Sequence, residues 1–257
     1  MPFLTVDDGC EIYYETEGSG QALVFASGFM GVTKIWREQF AEFSKEYQCI
    51  AWDNRGAGRS DKPLPRVAYG IERHRDDLHA VLTKLGVERA VIIGHSFGAN
   101  TACLYCLKYP KGTAGIVFVN SYATGQHIIQ AGNTYDVIKN AVKTKESRVN
   151  FYMSVGLSKE VAMESAYWPL YAVLGNAESF LEFDVTQRLS QIKCPTLIIH
   201  GDRDVVCPLE PSATYLRDNL SNVTYEVFKG VNHCSMTEEP RKFNQVLAKF
   251  LKEKIRW

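Results

Sequence analysis

Residues 90–100 read Ala-Val-Ile-Ile-Gly-His-Ser-Phe-Gly-Ala-Asn, and no other stretch constrains the fold as strongly. The apolar run Val91 to Ile93 has the character of a buried strand, and small residues of helical character follow the second glycine. Between them stands Gly-His-Ser-Phe-Gly, the G-x-S-x-G pattern in a strand–turn–helix context. A serine hydroxyl is a weak nucleophile, so it must be held beside a base and an oxyanion site to react. A sharp turn at a strand tip presents it at the cost of backbone strain. Side chains two residues to either side would clash across that turn, so Gly94 and Gly98 are the residues that fit. A five-residue pattern also arises by chance, so its meaning depends on whether the chain supplies the partners a serine needs.

The surrounding chain alternates strand and helix signals. Residues 2–6 and 10–16 read as strands around the Asp8-Gly9 turn. Ala22 to Ala26 is a continuous apolar run, a strand buried on both faces. Trp36 to Lys45 is amphipathic, with Trp36, Phe40 and Phe43 on one face, and Cys49 to Trp52 is a further strand. A helix over 73–85 has an apolar face of Leu78, Val81, Leu82 and Leu85. After the serine segment come strands at 115–119, 196–200 and 223–228, and helices at 211–219 and 240–254. Such alternation implies a mostly parallel sheet with helices on both faces, and ligands binding beyond the carboxyl ends of the strands. The alternation breaks from about Ser121 to Gln191, where helical patterns are dense in aromatic residues. We read 122–191 as a helical cap inserted into a core made of 1–121 and 192–257.

Composition narrows the class further. Lys+Arg and Asp+Glu number 29 each, and no basic block is present, so neither nucleic acid nor an anionic membrane surface is an expected partner. No uncharged apolar stretch approaches membrane-spanning length, and the N-terminus lacks the pattern of a signal peptide. The seven cysteines form no visible disulfide framework, and a reduced, cytoplasmic protein is the simplest expectation. Cys103-x-x-Cys106 falls inside a helix with no second Cys/His pair at zinc spacing, so buried thiols are expected there and no metal site.

A serine nucleophile needs a base and an orienting acid, which in this architecture follow it in the order acid, then histidine. Asp204 lies just past the strand at 196–200 and is the expected acid, with Asp202 the runner-up. His233 lies just past the strand at 223–228 and is the expected base. His74, His79, His95, His127 and His200 are expected to be structural. The oxyanion site is expected to use two backbone N–H groups, that of Phe97 after the serine and that of Phe29 in Ser27-Gly28-Phe29-Met30-Gly31. One such donor is typically worth about 3–4 kcal/mol in the transition state. The loop has no P-loop spacing, which argues against phosphate binding.

Taken in order, the Ser27–Gly31 loop, Asp53-Asn54-Arg55-Gly56-Ala57-Gly58-Arg59-Ser60, Gly94–Gly98, His200-Gly201-Asp202-Arg203-Asp204 and Gly230–His233 resemble the α/β-hydrolase superfamily along nearly the whole chain. Within it, Asp53–Ser60 with Asp61-Lys62-Pro63 looks like the branch of enol-lactone hydrolases, esterases and carbon–carbon bond hydrolases. Gly28-Phe29 with Trp36 is also similar to small butenolide-receptor-type hydrolases. The resemblance implies that Asp53 and Arg55 support loop structure. Ser27 departs from the pattern, since many members carry His there.

The activity these residues point to is hydrolysis of a small, largely apolar ester or lactone through an acyl-enzyme on Ser96, with no cofactor or metal. The alternatives are a carbon–carbon bond hydrolase, a cofactor-free oxygenase, or a ligand receptor that keeps the triad. Trp36, Tyr122, Trp168 and Tyr171 are the expected pocket aromatics. Cys207 and Cys234, close in sequence to the acid and base, are candidates to approach the pocket.

Overall fold

The computed structural model describes residues 2–29 and 31–257. Eight strands form one sheet in the order β1-β2-β4-β3-β5-β6-β7-β8. They are β1 (Phe3–Thr5), β2 (Glu11–Glu17), β3 (Ala22–Ala26), β4 (Gln48–Trp52), β5 (Ala90–His95), β6 (Thr113–Val119), β7 (Thr196–Gly201) and β8 (Val223–Phe228). The β1–β2 and β2–β4 pairs are antiparallel, and every pair from β4 to β8 is parallel. Strands β3, β5, β6 and β7 are buried along their whole length, which is why their sequences run as continuous apolar segments and do not alternate.

Six helices accompany the core strands: α1 (Arg37–Phe43), α2 (Ile71–Lys84), α3 (Phe97–Lys108) and, after β7, α9 (Thr214–Asn219), α10 (Ser235–Glu238) and α11 (Pro240–Lys254). The buried stripes of α2 and α11 follow the expected faces, with Leu85 and Val246 only half-buried. Leu78, Val81 and Leu82 of α2 are buried, as are Phe243, Leu247 and Phe250 of α11. Helix α2 packs on α3, and α1 packs on α11. No helix is long and apolar enough to cross a membrane among the described residues.

Between β6 and β7 the alternation stops and five helices follow: α4 (Gly125–Gln130), α5 (Tyr135–Ala141), α6 (Lys145–Ser154), α7 (Lys159–Ser165) and α8 (Leu170–Glu182). The two ends of this segment are tied together, with Gly125 N–H donating to Phe183 O at 2.8 Å and Val185 N–H to Ala123 O at 3.0 Å. Inside it, Arg148 is buried and donates to the carbonyls of Val142, Ala166 and Trp168. One guanidinium thereby joins the turns around α5, α6 and α7.

The Asp53–Ser60 loop is held by charge. The Oδ1 of Asp53 accepts from Thr33 N–H at 2.8 Å, and its Oδ2 accepts from Arg59 N–H at 2.9 Å. Arg55 is fully buried and meets Asp77 through two bonds, 2.7 Å from Nε and 2.6 Å from Nη2, and Asp8 through a third at 2.8 Å. Burial disfavours its charge, but the two carboxylates overcompensate and hold it protonated. This pair joins α2 to the loop after β4. Removing one partner of such a buried pair strands the other charge, at a cost of about 3–5 kcal/mol. Asp77→Ala is therefore expected to lower the urea midpoint and melting temperature sharply. A variant as stable as the parent contradicts the assignment.

Candidate active site

The serine segment has the geometry its spacing implies. Ser96 adopts φ 51° and ψ −121°, a conformation that side-chain-bearing residues rarely adopt. It stands where β5 ends and α3 begins. A Cβ on Gly94 would run into the backbone of Ala99, and one on Gly98 into the carbonyl of Ala26. The two glycines thus let strand, helix and the tip of β3 meet at backbone contact. As the first residue of α3, Phe97 carries one of the N–H groups that a helix leaves without an intrahelical acceptor. Its field favours negative charge just outside the helix.

His233 and Asp204 come together from the ends of β8 and β7. The Nδ1–H of His233 donates to Asp204 Oδ2 at 2.8 Å, which leaves Nε2 as the other functional face of the ring. Asp204 is buried and accepts three further bonds: Val206 N–H at 2.9 Å and Cys207 N–H at 2.8 Å on Oδ1, and Asn120 Nδ2 at 3.0 Å on Oδ2. Burial alone would raise its pKa. The facing His233 and His200 rings and the Cys207 N–H outweigh burial and hold the carboxyl below its ordinary value. Asp202 does not face the histidine; its Oδ1 accepts Gly230 N–H at 2.7 Å on the surface.

Three supporting residues were not picked out from the sequence. Asn120, at φ 47° just past β6, bonds Asp204 and the carbonyl of Asn232 (3.0 Å), while its own Oδ1 accepts Ser235 Oγ–H at 2.6 Å. Glu238 grips the backbone on both sides of His233, taking Asn232 N–H and Cys234 N–H at 3.0 Å each. The available signal was weak: an Asn at a parallel strand's carboxyl end, a residue type that tolerates φ > 0. Nothing in local pattern marks Ser235 or Glu238.

Of the remaining histidines, His79 stacks on Tyr109 and His127 packs edge-on against Tyr215, while His200 and His95 bond beside the site. His200 Nε2–H donates to Cys207 O at 2.7 Å. His95 Nε2–H donates to His233 O at 2.9 Å, which ties the serine turn to the histidine loop. Burial, and then the nearby His233 charge, lower the His95 pKa to about 3, so its ring is neutral and its Nδ1 is an acceptor with no partner among the described residues. That atom lies where a Cβ on Gly28 would fall, 2.6 Å away, so only glycine fits in the loop. Gly31 N–H closes the loop on Gly28 O at 3.0 Å. Phe29 packs edge-on against Phe180 at 4.9 Å, and Met30 lies outside the described residues.

Ser96 and His233 line one cavity. Residues outside 122–191 contribute Gly28, Phe29, Ile35, His95, Val206, Cys207 and Cys234. The segment between β6 and β7 contributes Tyr122, Ile128, Asn133, Ile138, Phe151, Tyr152, Val155, Leu157 and Phe180. No Asp, Glu, Lys or Arg belongs to its wall among the described residues.

Of the expected pocket aromatics, only Tyr122 lines it, with its hydroxyl engaged by Asn100 Nδ2 at 2.7 Å. Trp36 is buried behind the Ser27–Gly31 loop, donating its indole N–H to Ser27 Oγ at 3.2 Å and packing on Phe25 and Phe243. Trp168 is buried within the insertion, and its carbonyl serves Arg148. Tyr171 is 41% exposed and donates to Lys62 O at 2.8 Å, outside the cavity. Helix rotation decides which aromatics face inward, and residue spacing did not reveal it.

Cys207 and Cys234 both belong to the wall. Burial, reinforced by nearby carboxylates, pushes both thiols well above their ordinary pKa, while contact with Ser96 opposes the rise at Cys207. Cys103 and Cys106 are buried thiols, and Cys106 Sγ lies 3.6 Å from Cys194 Sγ. The ligand atoms of Asp204, Cys207 and His233 lie within 4.8 Å of one another. As a metal site the set fits poorly. Asp204 already accepts four hydrogen bonds, Nδ1 of His233 is committed to it, and the thiol is held protonated.

Comparison with known proteins agrees with this architecture. Residues 21–153 match the family described as alpha/beta hydrolase fold, and the chain belongs to that family. It is similar to a non-heme haloperoxidase of Rhodococcus erythropolis, at 29% identity over 98% of this chain and 99% of the relative. It is similar also to a bifunctional esterase/perhydrolase of Acinetobacter calcoaceticus, at 27% over 98% and 100%. Among solved structures, an N-acyl homoserine lactone degrading enzyme superposes with a TM-score of 0.82 at 29% identity, covering 97% of this chain and 100% of that one.

The buried histidines make stability depend on pH. His74 and His95 have folded pKa values of about 3, while an unfolded histidine titrates near 6.5. Below about pH 6.5 the unfolded chain takes up protons that the folded chain refuses. The stabilisation is complete above that pH and is lost as pH falls, by up to about 1.4 kcal/mol per pH unit for each ring. The urea midpoint is expected to be lower at pH 5.0 than at pH 7.5. An equal or higher midpoint at pH 5.0 refutes this account.

Proposed function

We propose that this α/β-hydrolase is a serine hydrolase of a neutral, largely apolar carboxylic ester or lactone. In this reading the helical segment 122–191 is a cap domain over a core of 1–121 and 192–257. The observation that carries it is that Ser96, on a strained turn, shares one charge-free cavity with a histidine already paired to a buried carboxylate. Ser96 Oγ attacks the substrate carbonyl and gives its proton to His233 Nε2. Asp204 stabilises the imidazolium, and the Phe97 and Phe29 N–H groups receive the developing oxyanion. The alcohol leaves with the proton from His233, and water, activated by the same ring, hydrolyses the acyl-enzyme. The absence of cationic side chains in the wall supports neutral substrates, because a substrate carboxylate would enter without a counter-charge.

A second reading concerns the acceptor. Close relatives are named haloperoxidase and esterase/perhydrolase, so the same acyl-enzyme could be released by hydrogen peroxide, giving a peracid and free serine. Product analysis with peroxide present separates the two routes.

Ser96→Ala is expected to abolish ester turnover, and mass spectrometry of the parent enzyme should detect an acyl adduct on Ser96. Undiminished turnover in the variant rejects the proposal. A p-nitrophenyl hexanoate is expected to exceed the p-nitrophenyl monoester of adipic acid by at least about 100-fold in kcat/KM, reflecting the cost of burying an unpaired charge. Asn120→Ala, which frees one side of Asp204, should lower kcat by about 10–100-fold with KM little changed. A change confined to KM would show that Asn120 does not position the acid.

A further inference from the structure

Tyr152, on α6, belongs to the cavity wall and is 3% exposed, yet its hydroxyl has no hydrogen-bond partner among the described residues. A buried hydroxyl without a partner is costly, and folded proteins rarely leave one without a reason. The wall around it is almost wholly carbon. The other phenol there, Tyr122, is already bonded to Asn100. The nearest charge on the same helix, Arg148, spends its Nε and Nη1 on backbone carbonyls.

The position of Tyr152 is fixed against the catalytic loop. Asn232 Nδ2 donates to Ser154 O at 3.0 Å, and Thr237 Oγ1 donates to Gly156 O at 3.0 Å. These bonds clamp the C-terminal turn of α6 to the segment carrying His233. Tyr152 lines the cavity together with Cys234 of that segment. Burial raises its own pKa far above the ordinary range, so it stays a neutral donor at any working pH.

From this geometry we infer that Tyr152 is a substrate-binding residue that donates a hydrogen bond to a second, neutral oxygen of the substrate. The inference rests on the hydrolase reading above and narrows the substrate class. The substrate is an apolar ester or lactone carrying a further ketone, amide or ether oxygen near the scissile bond, not a plain hydrocarbon ester. The hydroxyl is costly in the empty protein and becomes satisfied when that oxygen arrives, so discrimination comes from a group that is incomplete without its ligand.

The test compares parent and Tyr152→Phe on isosteric ester pairs: ethyl 3-, 4- and 5-oxohexanoate against the 3-, 4- and 5-methylhexanoates, and 2-methoxyethyl against butyl hexanoate. The readout is the ratio of kcat/KM within each pair. Tyr152→Phe is expected to shift that ratio against the oxygenated ester by about 10-fold in at least one pair, the weight of one hydrogen bond. Ratios unchanged within twofold in all four pairs overturn the inference. The same pairs are titrated calorimetrically into Ser96→Ala and Ser96→Ala/Tyr152→Phe, so that dissociation constants read the oxygen contact without turnover. If no ester is cleaved but the binding ratio shifts, the hydrolase reading fails and the Tyr152 contact stands. In the unliganded protein, Tyr152→Phe should keep or raise the melting temperature. A clear fall means the hydroxyl already has a partner and overturns the inference.

Discussion

Everything at the functional end of this molecule depends on a backbone contact at the serine turn. Gly98 lies against the Ala26 carbonyl and Gly94 against Ala99, with no room for a Cβ at either place. That closeness lets β5 turn into α3 within one residue, with Ser96 at φ 51° taking the strain. It also brings the tip of β3, and with it the Gly28–Phe29 backbone, beside the first N–H groups of α3. The strain at Ser96 is sustained because three elements close on it at once: β5, α3 and the Val119 carbonyl that accepts Ser96 N–H at 2.9 Å.

A second constraint is the buried charge of Asp204. A carboxylate in this position is tolerable only because four donors reach it, two from the backbone that follows it and two from side chains that follow other strands. Asn120 is the hub. It reaches the acid, the loop before the histidine and Ser235 together, so the ends of β6, β7 and β8 are held in one register. His95 adds a link from the serine turn to the His233 carbonyl. The same loop is pinned to the helical segment through Ser154 and Gly156, so the cavity and the His233 loop are mechanically continuous.

Much of this was legible in the sequence because chemistry-bearing residues sat immediately after strand signals. Ser96, Asp204 and His233 follow β5, β7 and β8, and a parallel sheet delivers successive carboxyl ends to one edge. The cavity wall was not legible in the same way. Aromatic density along 122–191 indicated that rings would be plentiful but not which would turn inward. Tyr122, Phe151, Tyr152 and Phe180 face the cavity, whereas Trp168 packs within the insertion and Tyr171 bonds the loop at Lys62. Trp36 lies behind the Gly28–Phe29 loop, where its indole N–H found Ser27 in place of solvent or substrate. Asn120, Ser235 and Glu238 escaped because their roles consist of bonds to residues distant in the chain.

The sequence by itself determined the class of fold and the order of its working parts. Periodicity, glycine placement and strand ends are local properties, and local sterics dictate them. Only the tertiary structure decided the shape and polarity of the space above Ser96. That space is set by the rotation of five short helices and by long-range bonds such as those of Arg148 and Asn232. The packing energy that fixes such rotations is shared among many non-local contacts, and no single stretch of sequence carries it.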